Sequence, residues 1–600
     1  MTAVAGGRRQ HVFNPPQAGR LSLLVWCVLG IVLVAGTFFA LQPTRLTASL
    51  GDTDDATRLV EVRELIDGRS WFDNTLPRLG GDQALHSHWS RLIDLPLAGL
   101  LTTFDRVMPQ AAAELAVRIV WPLTLLLALL YLLGREAEMR GGRLAALLSI
   151  ALAATCITAI VQFLPGRIDH HNAMILCATI GILRLSRSFD DADAGWSAGV
   201  FLGLGTVVGY EALALTIASF VAAMLYGLLP SRSLLGPSRA AVTFAATLAV
   251  ALAATAAPVS FLTQHCDALS MNLVVLAVVA AVGVCAVQAM ELRLSLAAKL
   301  AALLVTGAAG LALYGIAEPA CFAGPFGQVE PALFPIWLGH VSETQSLFSL
   351  GGGVPLLAVA AFAYLLAGVY SGTKLLRDDG SNTVRFDLIM LLIAIPLSCW
   401  QIKLLPYATY LAVPLIAVWL ARPSGTEDRQ PVSRRTAAIV TVAVLLVVGF
   451  AAWFALTTTP ASTNRVKEAL DKVQDCTATA AIEPLATLPA GLAVADVNLG
   501  PYLVALTRLN ALSAPYHRLG ASIMAAHEIL HSPPAKAETL LRQTGASYVI
   551  TCLGLDSTTP ARADAPESLQ GLLFANKPPA FLAPVTLAEP TPLKVWRVVQ

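Results

Sequence analysis

The stretch "GRIDHHNAMI", residues 166–175, places an aspartate and two histidines in succession between two long apolar runs. Charged and metal-binding side chains are costly in hydrocarbon, so the fold depends on where a membrane lies around Asp169, His170 and His171. The chain has 600 residues, of which 56% are hydrophobic and 13% are charged. Apolar runs of about 20 residues, the length that crosses a bilayer, recur along most of the chain. These features predict a polytopic α-helical membrane protein.

The apolar runs and the breaks between them predict about 13 transmembrane helices. The expected spans are 21–42, 112–134, 144–164, 172–187, 196–209, 211–229, 238–262, 271–291, 297–317, 350–372, 386–403, 407–421 and 436–457. The first run lacks a small-residue cleavage site, so we expect a retained helix and not a signal peptide. The run from 196 to 229 is too long for one span, and Gly209-Tyr210-Glu211 is the expected turn within it.

The basic residues set the orientation of these spans, because loops rich in Lys and Arg stay cytoplasmic. With 13 spans, four basic groups fall on one side: Arg8, Arg9 and Arg20; Arg135, Arg140 and Arg143; Lys374, Arg377 and Arg385; and Arg422, Arg429, Arg434 and Arg435. The other side then carries two long loops, 43–111 and 318–350, and the tail 458–600. We therefore expect a transmembrane catalytic unit, 1–457, and an external α/β domain, 458–600, in which strand-like and helical segments alternate.

Four of the nine cysteines lie in these external segments. Cys266 and Cys321 belong to loops, and Cys476 and Cys552 belong to the tail. In an oxidising compartment each pair has the option of forming a disulfide, although a sequence does not fix the pairing. The formal net charge of +1 gives no indication of a nucleic-acid partner.

The first loop opens with three aspartates in four positions, Asp52, Asp54 and Asp55, directly before a helical pattern. One interpretation is that they cap this helix and complement its dipole. The other is functional, because three adjacent carboxylates repel one another unless a cation or a basic partner lies among them.

The quoted stretch supplies a second group on the same face of the membrane. Asp169 and His171 are two positions apart at the start of the fourth span, and His170 lies between them. Carboxylate and imidazole suit Mn²⁺ or Zn²⁺, and carboxylate with water suits Mg²⁺. The alternative is a polar loop in which Asp169 caps the fourth span.

Further candidates lie on this face. The sequence "HVSE" in the second long loop carries His340 and Glu343. Lys403 ends the eleventh span, with Tyr407 one turn beyond it, and Glu211 is the main candidate for a deeper charge. Lysine is a good point-charge partner for phosphate, although it also snorkels from helix ends toward the interface.

Through these residues the chain resembles the GT-C glycosyltransferases, the membrane class that uses polyprenyl-phosphate-linked sugars. Within that class it is most similar to the catalytic subunit of oligosaccharyltransferase. That family has the same number of transmembrane helices as predicted here, long first and fifth external loops, and a C-terminal external domain. The resemblance therefore implies a GT-C-like fold.

The resemblance also implies roles for individual positions. The family's first-loop catalytic Asp, with an Arg nine residues on, matches Asp54 and Arg63, and Asp55 is the alternative. The acidic pair before the fourth span matches Asp169 and His171, where His replaces an acid, and the fifth-loop motif matches Val341-Ser342-Glu343. The implied cofactor is a divalent metal, Mg²⁺ or Mn²⁺. The expected residues are catalytic Asp54, Asp55 and Glu343; metal ligands Asp169, His170, His171 and Glu343; donor-phosphate ligands Lys403, Arg63 and His340; and acceptor or supporting residues Glu211, Tyr407, His517 and Arg518.

One family motif is missing from the tail. The acceptor pocket of oligosaccharyltransferase is built on W-W-D-Y-G, and here no two tryptophans are adjacent. A glycosylation-sequon peptide is therefore not the expected acceptor. His517 and Arg518 either face the active site from the tail or serve as packing or surface residues.

The expected function is transfer of a sugar from a polyprenyl-(di)phosphate donor to a glycan, lipid or protein acceptor at the outer face of a bacterial inner membrane. Asp54 would act as general base or orient the acceptor hydroxyl, and a single displacement would invert the anomeric carbon. Two alternatives remain. A flippase or transporter of lipid-linked sugars would need ionisable residues at mid-membrane depth. A non-catalytic member of the class would bind lipid without cleaving it.

Overall fold

A computed structural model of the chain describes residues 20–348, 355–378, 380–422, 476–553, 555 and 565–599. Its longer helices in the first three quarters are α1 (Arg20–Leu41), α2 (Thr53–Ile66), α3 (Arg91–Asp105), α4 (Gln110–Ala154), α5 (His171–Arg187), α6 (Ala194–Val208), α7 (Leu213–Gly227), α8 (Leu235–Thr255), α9 (Met271–Ala289), α10 (Leu296–Ala317), α11 (Pro355–Asp378), α12 (Asn382–Trp400) and α13 (Leu405–Ala421). The last predicted span, 436–457, lies outside the described residues, as does the start of the predicted span 350–372.

The described residues contain seven stretches that are helical, long and apolar enough to cross a membrane. They are α1, α4, α8, α9, α10, α12 and residues Ile402–Ala421, which include α13. Large apolar side chains on the outside of this bundle are not covered by protein; Leu21 is 77% exposed and Ile316 is 79% exposed. Lipid is the environment that suits such surfaces, since a soluble protein rarely leaves large contiguous apolar patches uncovered. The chain is therefore a multi-pass membrane protein.

The break predicted between residues 112–134 and 144–164 is present within α4 (Gln110–Ala154), at Gly142, whose φ of 76° and ψ of −167° are not helical. The two arms of α4 fold back on each other, since the Ser149 hydroxyl donates to Leu133 O at 3.3 Å. The second arm ends earlier than predicted, at Ala154. Arginines of the basic segment before the break pair along the helix. Arg135 bonds Glu138, and Arg140 lies 3.6 Å from Glu136. The predicted turn at Gly209-Tyr210-Glu211 is present, between α6 and α7.

Several chain segments meet at one end of the helix bundle. The first turn of α5 begins at His171, the turn between α6 and α7 carries Glu211, and the 3₁₀ turn Ile402–Leu404 precedes α13. Two more 3₁₀ turns, Leu338–His340 and Ser342–Thr344, belong to the second long loop. This end of the bundle therefore collects polar residues from distant parts of the sequence.

The first long loop holds α2, α3 and a two-stranded antiparallel sheet of β1 (Thr75–Leu76) and β2 (Leu85–His86).

The described C-terminal residues form a second, five-stranded sheet in the order β4-β3-β5-β7-β6. Its strands are β3 (Leu492–Val494), β4 (Asn510–Ala511), β5 (Tyr548–Cys552), β6 (Leu582–Pro584) and β7 (Leu593–Val598). Strands β4, β3 and β5 are parallel, whereas β7 is antiparallel to both β5 and β6. The longer helices of these C-terminal residues are α14 (Gly500–Leu506), α15 (Gly520–His531), α16 (Pro534–Thr544) and α17 (Leu569–Phe574).

The C-terminal residues dock on the first loop through backbone hydrogen bonds. Gly80 N donates to Ala511 O at 2.9 Å, and Ala511 N donates to Arg78 O at 2.9 Å. The Arg78 guanidinium donates to three carbonyls at the end of α14 and beyond it, those of Val504, Thr507 and Leu509. Because carbonyls at a helix end lack partners inside the helix, these bonds tie α14 to the loop.

Two disulfides join the cysteines of the external segments. Cys266 is bonded to Cys321, and Cys476 is bonded to Cys552. These are the two pairs that the sequence made possible.

Candidate active site

The start of α2 fixes the three aspartates of the first loop in different roles. Asp52 is the N-cap, and its carboxylate accepts from the backbone N–H groups of Asp54 and Asp55, each at 3.0 Å. Asp55 completes a capping box by accepting from Asp52 N at 3.2 Å. Gly51 precedes them with φ at 102°, and a Cβ there would lie 2.4 Å from Asp55 Oδ2. Glycine is therefore required where this carboxylate folds back over the chain.

Asp55 is fully buried and its oxygens are occupied. Oδ1 accepts from the backbone N–H groups of Ile168 and Asp169 at 2.7 and 3.1 Å, and Oδ2 accepts from Arg167 at 2.8 Å. A carboxylate with this many donors joins two segments and is not free to take a proton from a substrate. Asp54 is only partly buried, and its one described side-chain contact is with the Tyr516 hydroxyl at 3.2 Å. Of the two candidates for the catalytic acid, the geometry favours Asp54.

Arg167 is the basic partner among the aspartates. Its guanidinium forms ion pairs with Asp52, Asp55 and Asp169. The sequence contained a signal for this residue, because three clustered carboxylates need a compensating charge and Arg167 lies two positions before Asp169. It was missed because the spacing between the first loop and the fourth span gives no indication that they meet.

His171 has the environment of a metal-binding histidine. Its Nδ1 lies 2.9 Å from Glu211 Oε2, so this nitrogen carries the proton in the neutral ring, and its Nε2 lies 3.9 Å from Asp169 Oδ2. A ligating histidine commonly donates its other N–H to a carboxylate in this way. Two ligand atoms 3.9 Å apart are close enough to bind one divalent ion, so Asp169 and His171 fit the implied metal. The same Asp169 oxygen, Oδ2, also accepts from Arg167.

Other groupings also bring potential ligands together. His170, His171 and Glu211 have ligand atoms within 4.8 Å of one another, as do Asp52, Asp55 and Asp169. In the second group the Arg167 guanidinium already supplies the positive charge. The first group includes His170, whose ring centroid lies 4.5 Å from that of His171, so His170 remains a candidate metal ligand.

A cavity of about 160 Å³ opens beside this histidine. Its polar lining consists of Thr158, Gln162, His171, Glu211, Glu343, Lys403 and Tyr407, and its apolar lining consists of Ile175, Ile402, Leu405 and Pro406. Candidates predicted from four separate parts of the sequence therefore face one space. The Tyr407 side chain is buried, and its hydroxyl has no hydrogen-bond partner among the described residues. Such a hydroxyl is costly to leave unpaired and is available to a bound group.

The electrostatics separate the acids further. Partial burial opposes ionisation of Asp52, but the Arg167 guanidinium outweighs it and lowers the pKa of Asp52 to about 2. Burial raises the pKa of Asp54 well above its usual value, and the negative charges of Asp52 and Glu343 raise it further. Burial also opposes ionisation of Glu211, but His171 and Lys403 outweigh it and lower its pKa. Burial also raises the pKa of Asp55 and of Glu343, so three acids of this group have a raised pKa and two have a lowered one.

The structure places the remaining predicted residues elsewhere. Arg63 forms a bidentate ion pair with Glu114 and donates to Ala505 O at 2.6 Å, so it ties α2 to the C-terminal residues and does not line the cavity. His340 Nε2 lies 3.2 Å from Pro335 O and does not line the cavity either. For both residues the assignment to the donor phosphate came from position in the sequence, and each side chain has a nearer local partner.

His517 and Arg518 both contact Asp267, in the loop between α8 and α9. His517 Nε2 lies 2.6 Å from Asp267 Oδ2, and Arg518 donates to both oxygens at 2.7 and 2.6 Å. His88 lies beside them. The residue of this segment that contacts the candidate active site is Tyr516, which the sequence did not single out.

Comparison with known proteins identifies the architecture. No family model matches the chain, and no curated protein matches it in sequence. Among solved structures, the oligosaccharyltransferase of Archaeoglobus fulgidus in its apo form matches with a TM-score of 0.65 and 15% identity over 88% of this chain and 69% of that one. The same enzyme in complex with an inhibitory peptide and a dolichol-phosphate matches with a TM-score of 0.63 and 15% identity, over 97% of this chain and 74% of that one.

A third solved structure belongs to a different transferase. The mycobacterial arabinofuranosyltransferase AftD matches with a TM-score of 0.51 and 15% identity, over 97% of this chain and 40% of that one. Identities this low show the fold alone. The chain has a GT-C-like fold that resembles oligosaccharyltransferase.

Proposed function

We propose that this protein is a GT-C glycosyltransferase that moves a sugar from a polyprenyl-(di)phosphate donor to a glycan, lipid or protein acceptor. The observation that carries the proposal is the shared cavity. Lys403 and the unpaired Tyr407 hydroxyl lie in one space with His171, Glu211 and Glu343, at the end of helices that cross a membrane. A lipid phosphate needs this combination of positive charge, hydrogen-bond donor and access from the bilayer.

Asp54 acts as the general base in this proposal. It takes the proton of an acceptor hydroxyl as the acceptor oxygen forms its bond to the anomeric carbon, and the bond from that carbon to the phosphate oxygen breaks. The phosphate leaves with the electron pair, and Lys403 and Tyr407 stabilise its charge. A single displacement of this kind inverts the anomeric configuration. Positioned bases contribute about 10²–10⁴-fold to such rates.

Asp169 and His171 are the residues that would hold a divalent ion, Mg²⁺ or Mn²⁺, with Glu343 beside them. When bound, such an ion neutralises phosphate charge as a Lewis acid. Glu211 fixes the His171 ring through Nδ1, and Arg167 fixes Asp169. The structure of the Archaeoglobus oligosaccharyltransferase, which shares the fold, is known in complex with Zn and sulfate and, separately, with an inhibitory peptide and a dolichol-phosphate. Both complexes support a lipid-phosphate and metal site.

We place the active site and the C-terminal residues in the periplasm of a bacterium and the spans in its inner membrane, with residues 458–600 as an external domain. The two disulfides support this orientation because they require an oxidising compartment. The basic loops support it independently, because Arg135, Arg140 and Arg143 lie near Glu136, which pairs with Arg184 at the far end of α5 from His171.

Reconstituted full-length protein tests the proposal. Proteoliposomes would receive polyprenyl-phosphate hexose, polyprenyl-phosphate pentose and polyprenyl-diphosphate sugar, each labelled in the sugar, with a membrane extract as source of acceptors. We expect release of free polyprenyl phosphate or diphosphate from one donor, and NMR of the product should show inverted configuration. Intact donor that crosses the bilayer would indicate a transporter, and binding without cleavage would indicate a lipid-binding protein. Either result would overturn the proposal.

A further inference from the structure

Tyr516 reaches the candidate catalytic acid from the C-terminal residues. Its hydroxyl lies 3.2 Å from Asp54 Oδ1, 2.7 Å from Thr57 Oγ1 and 3.2 Å from the backbone oxygen of Thr53. Tyr516 and Thr57 are buried, with exposed fractions of 4% and 0%. All three of these oxygens belong to the start of α2, which carries Asp54.

The donor and acceptor inventory assigns the hydrogens. An ionised Asp54 only accepts, so the bond at Oδ1 needs the phenolic hydrogen of Tyr516. With that hydrogen committed to Asp54, the 2.7 Å contact between the Tyr516 and Thr57 hydroxyls is made by the Thr57 hydrogen. The bond from Tyr516 is the one side-chain hydrogen bond of Asp54 among the described residues. It holds Oδ1 and leaves Oδ2 to receive a proton.

Two contacts hold Tyr516 in place. Its ring packs edge-on against Trp89 of the first loop, with centroids 5.3 Å apart, and the next two residues, His517 and Arg518, are fastened to Asp267. Asp267 directly follows Cys266, whose disulfide to Cys321 restrains that loop. Tyr516 therefore sits between two fixed points and has little freedom to leave Asp54.

We infer that Tyr516 is the positioning residue of Asp54, and that the clamp of Asp267, His517 and Arg518 holds it there. The C-terminal residues then contribute to the transfer step through the position of Asp54. This inference rests on the proposed function, in which Asp54 is the general base. It gives His517 and Arg518 a role that differs from direct contact with the acceptor.

The Tyr516→Phe substitution tests the inference, because it keeps the ring against Trp89 and removes the hydroxyl. The assay is release of polyprenyl phosphate in proteoliposomes, with the hexose or pentose donor that supports turnover. We expect kcat to fall about tenfold, the effect of one hydrogen bond to a charged group, while KM for the donor stays unchanged. The acid limb of the kcat profile should move to higher pH, since the ionised form of Asp54 loses its donor.

Tyr502→Phe is the matched control. Tyr502 is also a buried C-terminal tyrosine at this junction, but its hydroxyl donates to the backbone oxygen of Gly51 at 2.9 Å and not to a carboxylate. We expect its kcat and pH profile to match the unmodified protein. Equal losses in both variants, with no movement of the acid limb, would make Tyr516 a packing residue and overturn the inference.

Asp54→Asn separates this inference from the proposed function. If Asp54→Asn abolishes turnover while Tyr516→Phe keeps full kcat, the inference fails and the proposed function stands. If Asp54→Asn keeps full turnover, the proposed role of Asp54 fails, and the positioning of Asp54 fails with it. Comparable expression and thermal stability of the three variants would establish that each is folded.

Discussion

Two charged centres lie at opposite ends of α5, and they differ in the ratio of acidic to basic side chains. The acidic centre, at the start of the helix, combines Asp52, Asp54, Asp55, Asp169, Glu211 and Glu343 with two permanent cations, Arg167 and Lys403. The balanced centre, at the other end, pairs Glu136 and Asp387 with Arg140 and Arg184. Their anchors on α5, His171 and Arg184, are about 20 Å apart at 1.5 Å per residue.

The comparison indicates which buried charges hold the fold and which serve a ligand. Two acids facing two arginines satisfy each other, and such a network needs nothing from outside. Burial opposes protonation of His171, but Glu211 and Asp169 outweigh it and raise its pKa well above the usual value. Six acids therefore face two permanent cations and one further basic group, so the acids remain in excess. Glu211, Glu343 and Lys403 of the acidic centre line the cavity, whereas the residues of the balanced centre do not line it. Excess charge beside a cavity is what a bound cation would compensate.

The largest expected effect on turnover is that of Asp54→Asn. Asparagine keeps the shape of the side chain and removes the base, so turnover should fall by about 10²-fold or more with folding intact. The assay is release of polyprenyl phosphate in proteoliposomes. Asp55→Asn is the paired measurement, and it should instead reduce stability by roughly 3–5 kcal/mol because it breaks a buried ion pair with Arg167. The reverse pattern would exchange the roles of the two aspartates.

Metal affinity should distinguish the two centres. Asp169→Asn removes a negative ligand, and we expect it to weaken Mn²⁺ binding by about 10–100-fold, as loss of groups around a metal commonly does. Electron paramagnetic resonance of free Mn²⁺ measures this without an activity assay. Asp387→Asn is the control in the balanced centre and should leave Mn²⁺ affinity unchanged. Equal affinity in all three proteins would place the ion away from Asp169.

Lys403→Met should act on the donor. Methionine retains the length of the aliphatic chain and removes the charge, so we expect KM for the lipid donor to rise about tenfold, the effect of one charge-assisted contact. Arg63→Met serves as comparison because Arg63 pairs with Glu114 away from the cavity. Its KM should stay near that of the unmodified protein. A larger rise for Arg63→Met than for Lys403→Met would restore the phosphate role predicted from the sequence.

The pH dependence of kcat should reflect the raised pKa of Asp54. A base works in its ionised form, so turnover should rise with pH through the pKa of this group. Burial and the charges of Asp52 and Glu343 raise that pKa, which places the acid limb well above pH 4, near which an ordinary aspartate titrates. Profiles of kcat measure it. An acid limb near pH 4 would show that Asp54 is solvated or is not the base.

The smallest effect on turnover should come from the balanced centre. Asp387→Asn leaves Arg140 with one acidic partner, Glu136, and should lower thermal stability, while turnover of the folded fraction stays unchanged. Thermal unfolding and donor cleavage on the same sample measure both. A loss of turnover as large as that of Asp54→Asn would show that the two centres are not independent.

The sequence predicted the membrane class and many of the residues around the site. It did not predict residues whose role depends on a contact with a distant part of the chain. Hydropathy placed the turn at Glu211 and Lys403 at the outer end of a span, and the motif match singled out Glu343, because these signals are local. Arg167 and Tyr516 escaped because each acts through a partner more than 100 residues away. Arg63 and His340 were assigned to the phosphate by position, and only the fold shows their nearer partners.

The most direct test of the account is a cryo-electron microscopy structure of the full chain with Mn²⁺ and undecaprenyl phosphate. We expect ion density between Asp169 Oδ2 and His171 Nε2, and phosphate density within hydrogen-bond distance of Lys403 and the Tyr407 hydroxyl. The lipid chain should leave the cavity toward the bilayer. Phosphate bound elsewhere, with the cavity beside Lys403 lacking density, would contradict the assignment of this site to a lipid-linked sugar donor.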